Sequence, residues 1–346
     1  MENRMLIIGI GVAVAVILVL GAVLGPLTGT IDIDGSQDEE SYMVEDATGE
    51  EVEFEESPER VVSFMPSNTE LLFYLDLGER IVGVDDFSNH PPEVNEKIES
   101  GEIKTVGDSL EVKYEDIVEL EPDVVVITQA VIHMRETLDD YGIKSVVTGG
   151  ETLENVYSDL KILGKMCGIE EEAEEKAQGL KEEMDRITKG TRDLPDEERV
   201  DVLYISGINE GINTPGEGTF QHTLLRNAGF NNIASSETGW HTIPEEDIIE
   251  AEPEVIIAPN YLEKDVEEYT DKESWQDIPA VENDDIFFVD GDIMSRPGPR
   301  VVEAQETLVG IMEEAESIET ETETTALHTE SILGTISEGT SAKQLA

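Results

Sequence analysis

The chain has 346 residues, room for two domains of ordinary size, and its 80 acidic against 22 basic side chains give a net charge of -58 at pH 7. A polyanion of this kind is repelled by nucleic acid, which argues against that class of partner. The lone cysteine, Cys167, excludes an intramolecular disulfide and, beside Met166 among apolar neighbours, reads as a buried thiol rather than a nucleophile.

So acidic a composition permits two readings, disorder or a surface adapted to high salt. In the second, the Debye length falls to roughly 3 Å and self-repulsion is screened. The regular strand and helix patterns described next favour the second and point to a halophilic source. Residues 5–24 are an unbroken apolar run of twenty behind Arg4, with no charge inside. That length spans a bilayer and exceeds the usual core of a cleaved signal, so 1–25 is expected to be an uncleaved anchor in preference to a signal peptide. Arg4 favours a cytoplasmic start with the acidic remainder outside, and no cysteine follows the run to carry a lipid. Residues 26–57 read as an acidic tether with one edge strand at 51–54.

A first α/β lobe is expected over 58–150. Residues 61–64 form a strand, and Pro66-Ser67-Asn68-Thr69-Glu70 follows at once. Ser67 with Glu70 three residues on is the capping-box pattern, so a helix should begin there, with Leu71, Leu72 and Leu75 on its apolar face and Gly78 ending it. A strand at 81–84 leads into a loop holding Phe87, His90, Pro91 and Pro92. Residues 115–127 and 246–258 are two copies of one pattern: an acidic helix, a Glu-Pro break at Pro122 and Pro253, then a β-branched strand apolar enough to be buried on both faces. After the first copy come a loop at 129–134, a helix to Tyr141 and a strand at 144–147.

Residues 151–195 form the connecting segment. A helix over 152–167 is interrupted by Gly168. Then 170–189 carries Ala173, Ala177, Leu180, Met184 and Ile187 at steps of four, three, four and three, one apolar stripe on a helix of about 30 Å. The second lobe, 196–316, repeats the plan. It has a strand at 202–205, a glycine-rich loop at 207–218, a helix at 220–228 ending at Gly229, and a loop at 235–244 with Trp240 and His241 before the second repeat copy. Segments at 275–281 and 286–289 lead to Arg296-Pro297-Gly298-Pro299-Arg300 and a last helix to about residue 316. From 317 to 346 the polar, acidic tail shows no apolar period and is expected to be disordered. The fold class is therefore α/β, two Rossmann-like lobes bridged by one long helix.

In such sheets ligands bind outside the carboxyl ends of the strands, so the lining candidates are the loops at 66–69, 87–92, 129–134, 207–218, 240–241 and 292–300. No dinucleotide fingerprint follows a strand, and no phosphate loop or nucleophile elbow is present. His90, His133, His222 and His241 lack ligand spacing, so neither a metal site nor a catalytic residue is expected.

The segment Arg60–Leu72, Val82-Gly83-Val84 with Pro91-Pro92, the two repeat copies and Arg296-Pro297-Gly298-Pro299-Arg300 together resemble, in order, the substrate-binding proteins of ABC importers for ferric siderophores and cobalamin. The resemblance covers about 58–315 and implies the class III periplasmic-binding-protein fold, a monomer with its ligand held between two lobes and little hinge motion. Within that family the chain is most similar to cobalamin binders, which implies that Trp240 packs on the corrin while Asp292 and Arg296 reach its amide side chains. Pro66, Ser67 and Asn68 would line the other lobe. His90 stands where the family has a tyrosine, as another flat contact in preference to a nitrogen offered to cobalt. Glu115 and Glu246 would dock on the permease and, through it, its ATPase. The implied role is extracellular capture of a corrinoid at the membrane surface, with no cofactor beyond the transported ligand. Delivery of a ferric siderophore or haem is the alternative, and a metal-dependent enzyme on a similar scaffold is the reading from another class. Trp240 as a lobe-packing residue, Asp292 as one more surface acid, and Arg296 and Arg300 as caps of the last helix or partners of nearby carboxylates, are the plain structural readings.

Overall fold

Two parallel sheets organise the computed structural model, which describes residues 41–315. A hairpin of β1 (Tyr42–Glu45) and β2 (Glu51–Phe54) comes first. The chain then lays down β3 (Val61–Ser63), β4 (Ile81–Val84), β5 (Lys104–Thr105), β6 (Val124–Thr128) and β7 (Ser145–Thr148) in the spatial order β5-β4-β3-β6-β7. The second lobe contributes β8 (Val200–Tyr204), β9 (Gly207–Ile208), β10 (Ile212–Pro215), β11 (Phe230–Asn232), β12 (Trp240–Ile243), β13 (Val255–Pro259) and β14 (Ile286–Val289). Its parallel sheet runs β11-β8-β13-β14, and β12-β10-β9 form a small antiparallel sheet beside it.

Alternation along the strands explains how the lobes join. Successive side chains point to opposite faces. Val124 and Val126 of β6 therefore enter a central core, while Val125 and Ile127 enter an outer one. In β13, Val255 and Ile257 likewise enter the central core, and Ile256 and Ala258 a second outer core. The central core also holds the stripe Ala173, Ala177, Leu180 and Met184 of the helix Glu170–Ile187, so one apolar body runs from lobe to lobe through that helix. Each fully buried Leu or Met contributes roughly 1.5–3 kcal/mol, which makes the bridge a packed layer and not a linker. Its neighbour, the helix Leu153–Met166, approaches closely at Gly164, where an added Cβ would stand 2.1 Å from that of Ala173.

The two repeat copies fold alike. The helices Tyr114–Glu119 and Glu245–Ala251 bury Ile117 and Ile248 and lead into β6 and β13. Glu121 and Glu252, each ahead of the proline, both take left-handed backbone with φ of 46° and 48°. The next acids also act alike: Asp123 accepts from the Arg60 amide and Glu254 from the Asp201 amide, each anchoring the start of the neighbouring strand.

Several expectations need correction. The strand at Glu51–Phe54 has a partner inside the stretch read as tether, because Tyr42 stacks on Phe54 and its hydroxyl donates to the Met166 carbonyl. Pro66 opens the helix Pro66–Tyr74, with Met65 at the cap and no side-chain bond there. Ser67 therefore lies inside the first turn, and Glu70 turns to the other lobe instead of completing a capping box. Pro92 opens a further helix, Pro92–Ser100, not anticipated from the sequence. Much of the loop at 207–218 is strand, and Trp240 stands on β12, opposite Pro215. The anchor at 1–25, residues 26–40 of the tether and the tail at 317–346 lie outside the described residues. Among the described residues no helix is long and apolar enough to cross a membrane.

Candidate functional site

In the first sheet the order reverses between β3 and β6, and the loops leaving β3 and β4 meet at the resulting crevice. Asp85 ties them together: its buried carboxylate accepts from the amides of Met65 at 3.0 Å and Phe87 at 2.9 Å and from the Ser88 hydroxyl at 2.5 Å. Burial pushes this carboxyl up, and those hydrogen bonds oppose the shift. Met65, held there, has φ of 86°, a left-handed backbone costly for a side chain of its type. The hydroxyls of Ser88, Thr69 and Ser63 continue the network. Asn68 is fully buried, donating to the Phe64 carbonyl and accepting from Thr148. Of the expected contacts, Pro66 and Ser67 open the helix, while Asn68 spends both ends of its amide in fixing the loop.

Across the cleft the two lobes are joined by charge. Glu70, its side chain 1% exposed, receives Arg300 at two points, Nε at 2.8 Å and Nη2 at 2.6 Å, and Arg296 Nη1 at 3.2 Å. Arg296 also donates to Asn89 Oδ1 at 2.7 Å and to the Phe87 carbonyl at 3.4 Å, and pairs with Asp292 at 2.8 Å. Asn89 closes the ring by donating to Asp292 at 3.3 Å. The expected neighbours Asp292 and Arg296 are thus together, and both cleft arginines are matched by carboxylates. The hydrogen bond to Glu70 raises the Arg300 pKa further.

His90 lies on another side of Glu70. It faces a seam pocket of about 370 Å³ with Phe73, Tyr74, Arg300 and Glu303. Burial and then the nearby Arg300 charge pull its pKa down, so the ring is neutral at pH 7. The pocket is near the lower bound of the about 300–1,000 Å³ that suits a drug-sized ligand.

The aromatic side chains divide cleanly. Trp275 is wholly buried, its Nε1 donating to Glu245, whereas Trp240 is 55% exposed on the edge strand β12 and is not a packing residue. Phe87 and Tyr261, at 61% and 67% exposure, occupy loops after β4 and β13. Phe87 falls in the loop at 87–92 expected to line the cleft, whereas Tyr261 was not singled out from the sequence, although an aromatic in a loop after a parallel strand was a usable signal. Glu115 and Glu246 are both exposed in the first turns of the equivalent repeat helices. Among the described residues no three His, Cys, Asp or Glu side chains group as a metal site.

Comparison with known proteins follows the same lines. A family model described as periplasmic binding protein matches residues 61–293, about two-thirds of the chain. An uncharacterized ABC transporter substrate-binding lipoprotein of Bacillus subtilis, YvrC, is 29% identical over 280 residues, 80% of this chain and 84% of the relative. A vitamin B12-binding protein of Vibrio parahaemolyticus is 23% identical over 266 residues, 76% of this chain and 91% of the relative. The periplasmic heme-binding protein of Roseiflexus in its apo form shares the fold with a TM-score of 0.66 at 22% identity, covering 74% of this chain and 98% of that one.

Proposed function

We infer the cargo from a fixed premise: the chain belongs to the periplasmic binding protein family. It is the substrate-binding component of an ABC importer and not an enzyme, and it serves a permease from the outer side of the membrane.

The ligand we propose is a corrinoid held between the lobes. One observation carries that choice: Arg296 and Arg300 are already matched by Asp292 and Glu70. Neither arginine therefore offers an unmatched positive charge to the propionates of haem or to an anionic ferric chelate, and desolvating such an anion unpaired costs on the order of several kcal/mol. A corrin rim of neutral amides suits the junction better. Asp292 accepts from amide N–H groups and Arg296 donates to amide carbonyls. The exposed face of Trp240 takes the apolar macrocycle. His90 makes a flat contact from the seam, with Pro66 and Ser67 closing the first-lobe side.

The remaining roles belong to the same proposal. Glu115 and Glu246, equivalent and exposed, contact the permease. The lobes are 58–150 and 196–316 about the connector 151–195, the chain acts as a monomer, and residues 1–25 anchor it in the membrane. Calorimetric titration of the full-length chain, in mild detergent and high salt, tests the cargo with cyanocobalamin, hemin and a ferric hydroxamate. One-to-one, sub-micromolar binding of cyanocobalamin is expected. Preference for hemin or the iron chelate would overturn the corrinoid assignment and leave the family role intact.

A further inference from the structure

We propose that Tyr261 is a ligand-contacting aromatic of the second lobe, seated on Gly291 beside Asp292. The inference rests on the corrinoid reading above and adds a specificity-determining residue to it. Tyr261 follows directly on β13, in the turn Asn260–Leu262, at the point where the order of the second sheet reverses between β8 and β13. That turn buries Leu262 and sends Tyr261 outward.

The ring does not hang free. A Cβ added to Gly291 would lie 2.4 Å from Tyr261 Cε1, so the tyrosine rests on bare backbone that only glycine leaves open. One side of the ring is thus fixed, and with two-thirds of the residue exposed much of the remaining surface is uncovered. Burial, followed by the Asp292 charge, raises the phenol pKa, which keeps the hydroxyl a donor at neutral pH. A held apolar face with one hydroxyl at its edge fits a macrocycle rimmed with amides. The junction continues from there into the other lobe. Asp292 pairs with Arg296, Arg296 holds the Phe87 carbonyl, and Phe87 is itself exposed. Tyr261 and Phe87 thus flank the charged ring, one from each lobe. A tyrosine serving only as a cover for Gly291 would have no reason to leave so much of itself in water.

Titration of the full-length chain and three variants with cyanocobalamin tests this. Tyr261→Ala is expected to weaken binding by about tenfold, the loss of one aromatic contact, with the melting temperature unchanged. Tyr261→Phe keeps the face and stays within about threefold. Gly291→Ala, at a residue outside the left-handed region, displaces the ring without deleting it and reproduces most of the loss. Affinity within twofold of the parent for both Tyr261→Ala and Gly291→Ala, in a parent that binds cyanocobalamin, would overturn the role of Tyr261 alone. A parent chain that does not bind cyanocobalamin overturns the corrinoid reading, and this inference with it.

Discussion

Glu70 and Arg300 join the lobes at two points, with Arg300 Nε 2.8 Å from Oε2 and Nη2 2.6 Å from Oε1 of a carboxylate that is almost wholly buried. The two residues are 230 positions apart, and Arg296 reaches the same carboxylate. Removing Glu70 leaves Arg300 charged and unmatched at a buried site, while Arg296 keeps Asp292. Glu70→Gln is therefore expected to lower unfolding stability by about 3–5 kcal/mol, as read by denaturant titration. High salt should not restore it, since the site is shielded from solvent ions. The same variant frees positive charge in the cleft, so its affinity for hemin should rise relative to cyanocobalamin. An unchanged preference would remove the charge argument for a neutral ligand.

Trp240 and Asp292 separate binding from stability. Trp240 stands exposed on an edge strand, and Asp292 is a partly exposed side chain whose loss still leaves Arg296 paired to Glu70. Alanine at either position should change stability by no more than about 0.5–1 kcal/mol while weakening ligand binding by about tenfold or more. Parent-like affinity in both variants would count against this face as the site.

The contrast between what was and was not legible has a physical basis. Strands such as β6 and β13 announce themselves because both faces are buried, which favours near-continuous apolar, β-branched runs. Gly229 was equally plain, since a left-handed C-cap is local chemistry. Glu70 misled for the opposite reason. Its local pattern offered a capping box with Ser67, but two arginines from the other lobe are stronger partners than one amide, and Pro66 had already opened the helix. The antiparallel β9–β10–β12 sheet was missed because its strands are two to four residues long and rich in glycine and polar residues. The family resemblance singled out Asp292 and Arg296, and the two side chains do pair. Their tie to Asn89 is a contact between lobes that no local spacing encodes.

Asp159 gives a pH dependence with a definite sign. Its carboxyl is buried within the helix Leu153–Met166, accepting from the amides of Gly149 and Gly150, and burial pushes it up to about 6 despite those bonds. A carboxyl raised above its unfolded value near 3.9 binds its proton more tightly when folded. Its favourable contribution is complete below about pH 4 and is lost as pH rises through about 6. Asp159→Asn removes that titration while still able to accept one of the two bonds. Unfolding measured from pH 4 to 7 should show the parent losing on the order of 2–3 kcal/mol more than the variant. Parallel profiles would mean the group does not titrate in that window.

Glu115 and Glu246 test the delivery of the cargo and not its capture. Each lies exposed in the first turn of a repeat helix whose buried Ile117 or Ile248 fixes the orientation, so the two lobes present matching carboxylates. Both are exposed, and neither takes part in the charged ring of Glu70, Asn89, Asp292 and Arg296. As the proposed permease contacts, in salt strong enough to shorten the Debye length to about 3 Å, they are expected to act only through close, hydrogen-bonded contact with permease cations. Reversal to arginine at both positions is expected to leave the cyanocobalamin affinity within about twofold while abolishing permease-dependent uptake. Single reversals should fall between the two. Their effect should persist at high salt, because it comes from direct like-charge clash and lost hydrogen bonds. Full uptake by the double variant would place the permease contact elsewhere on the surface.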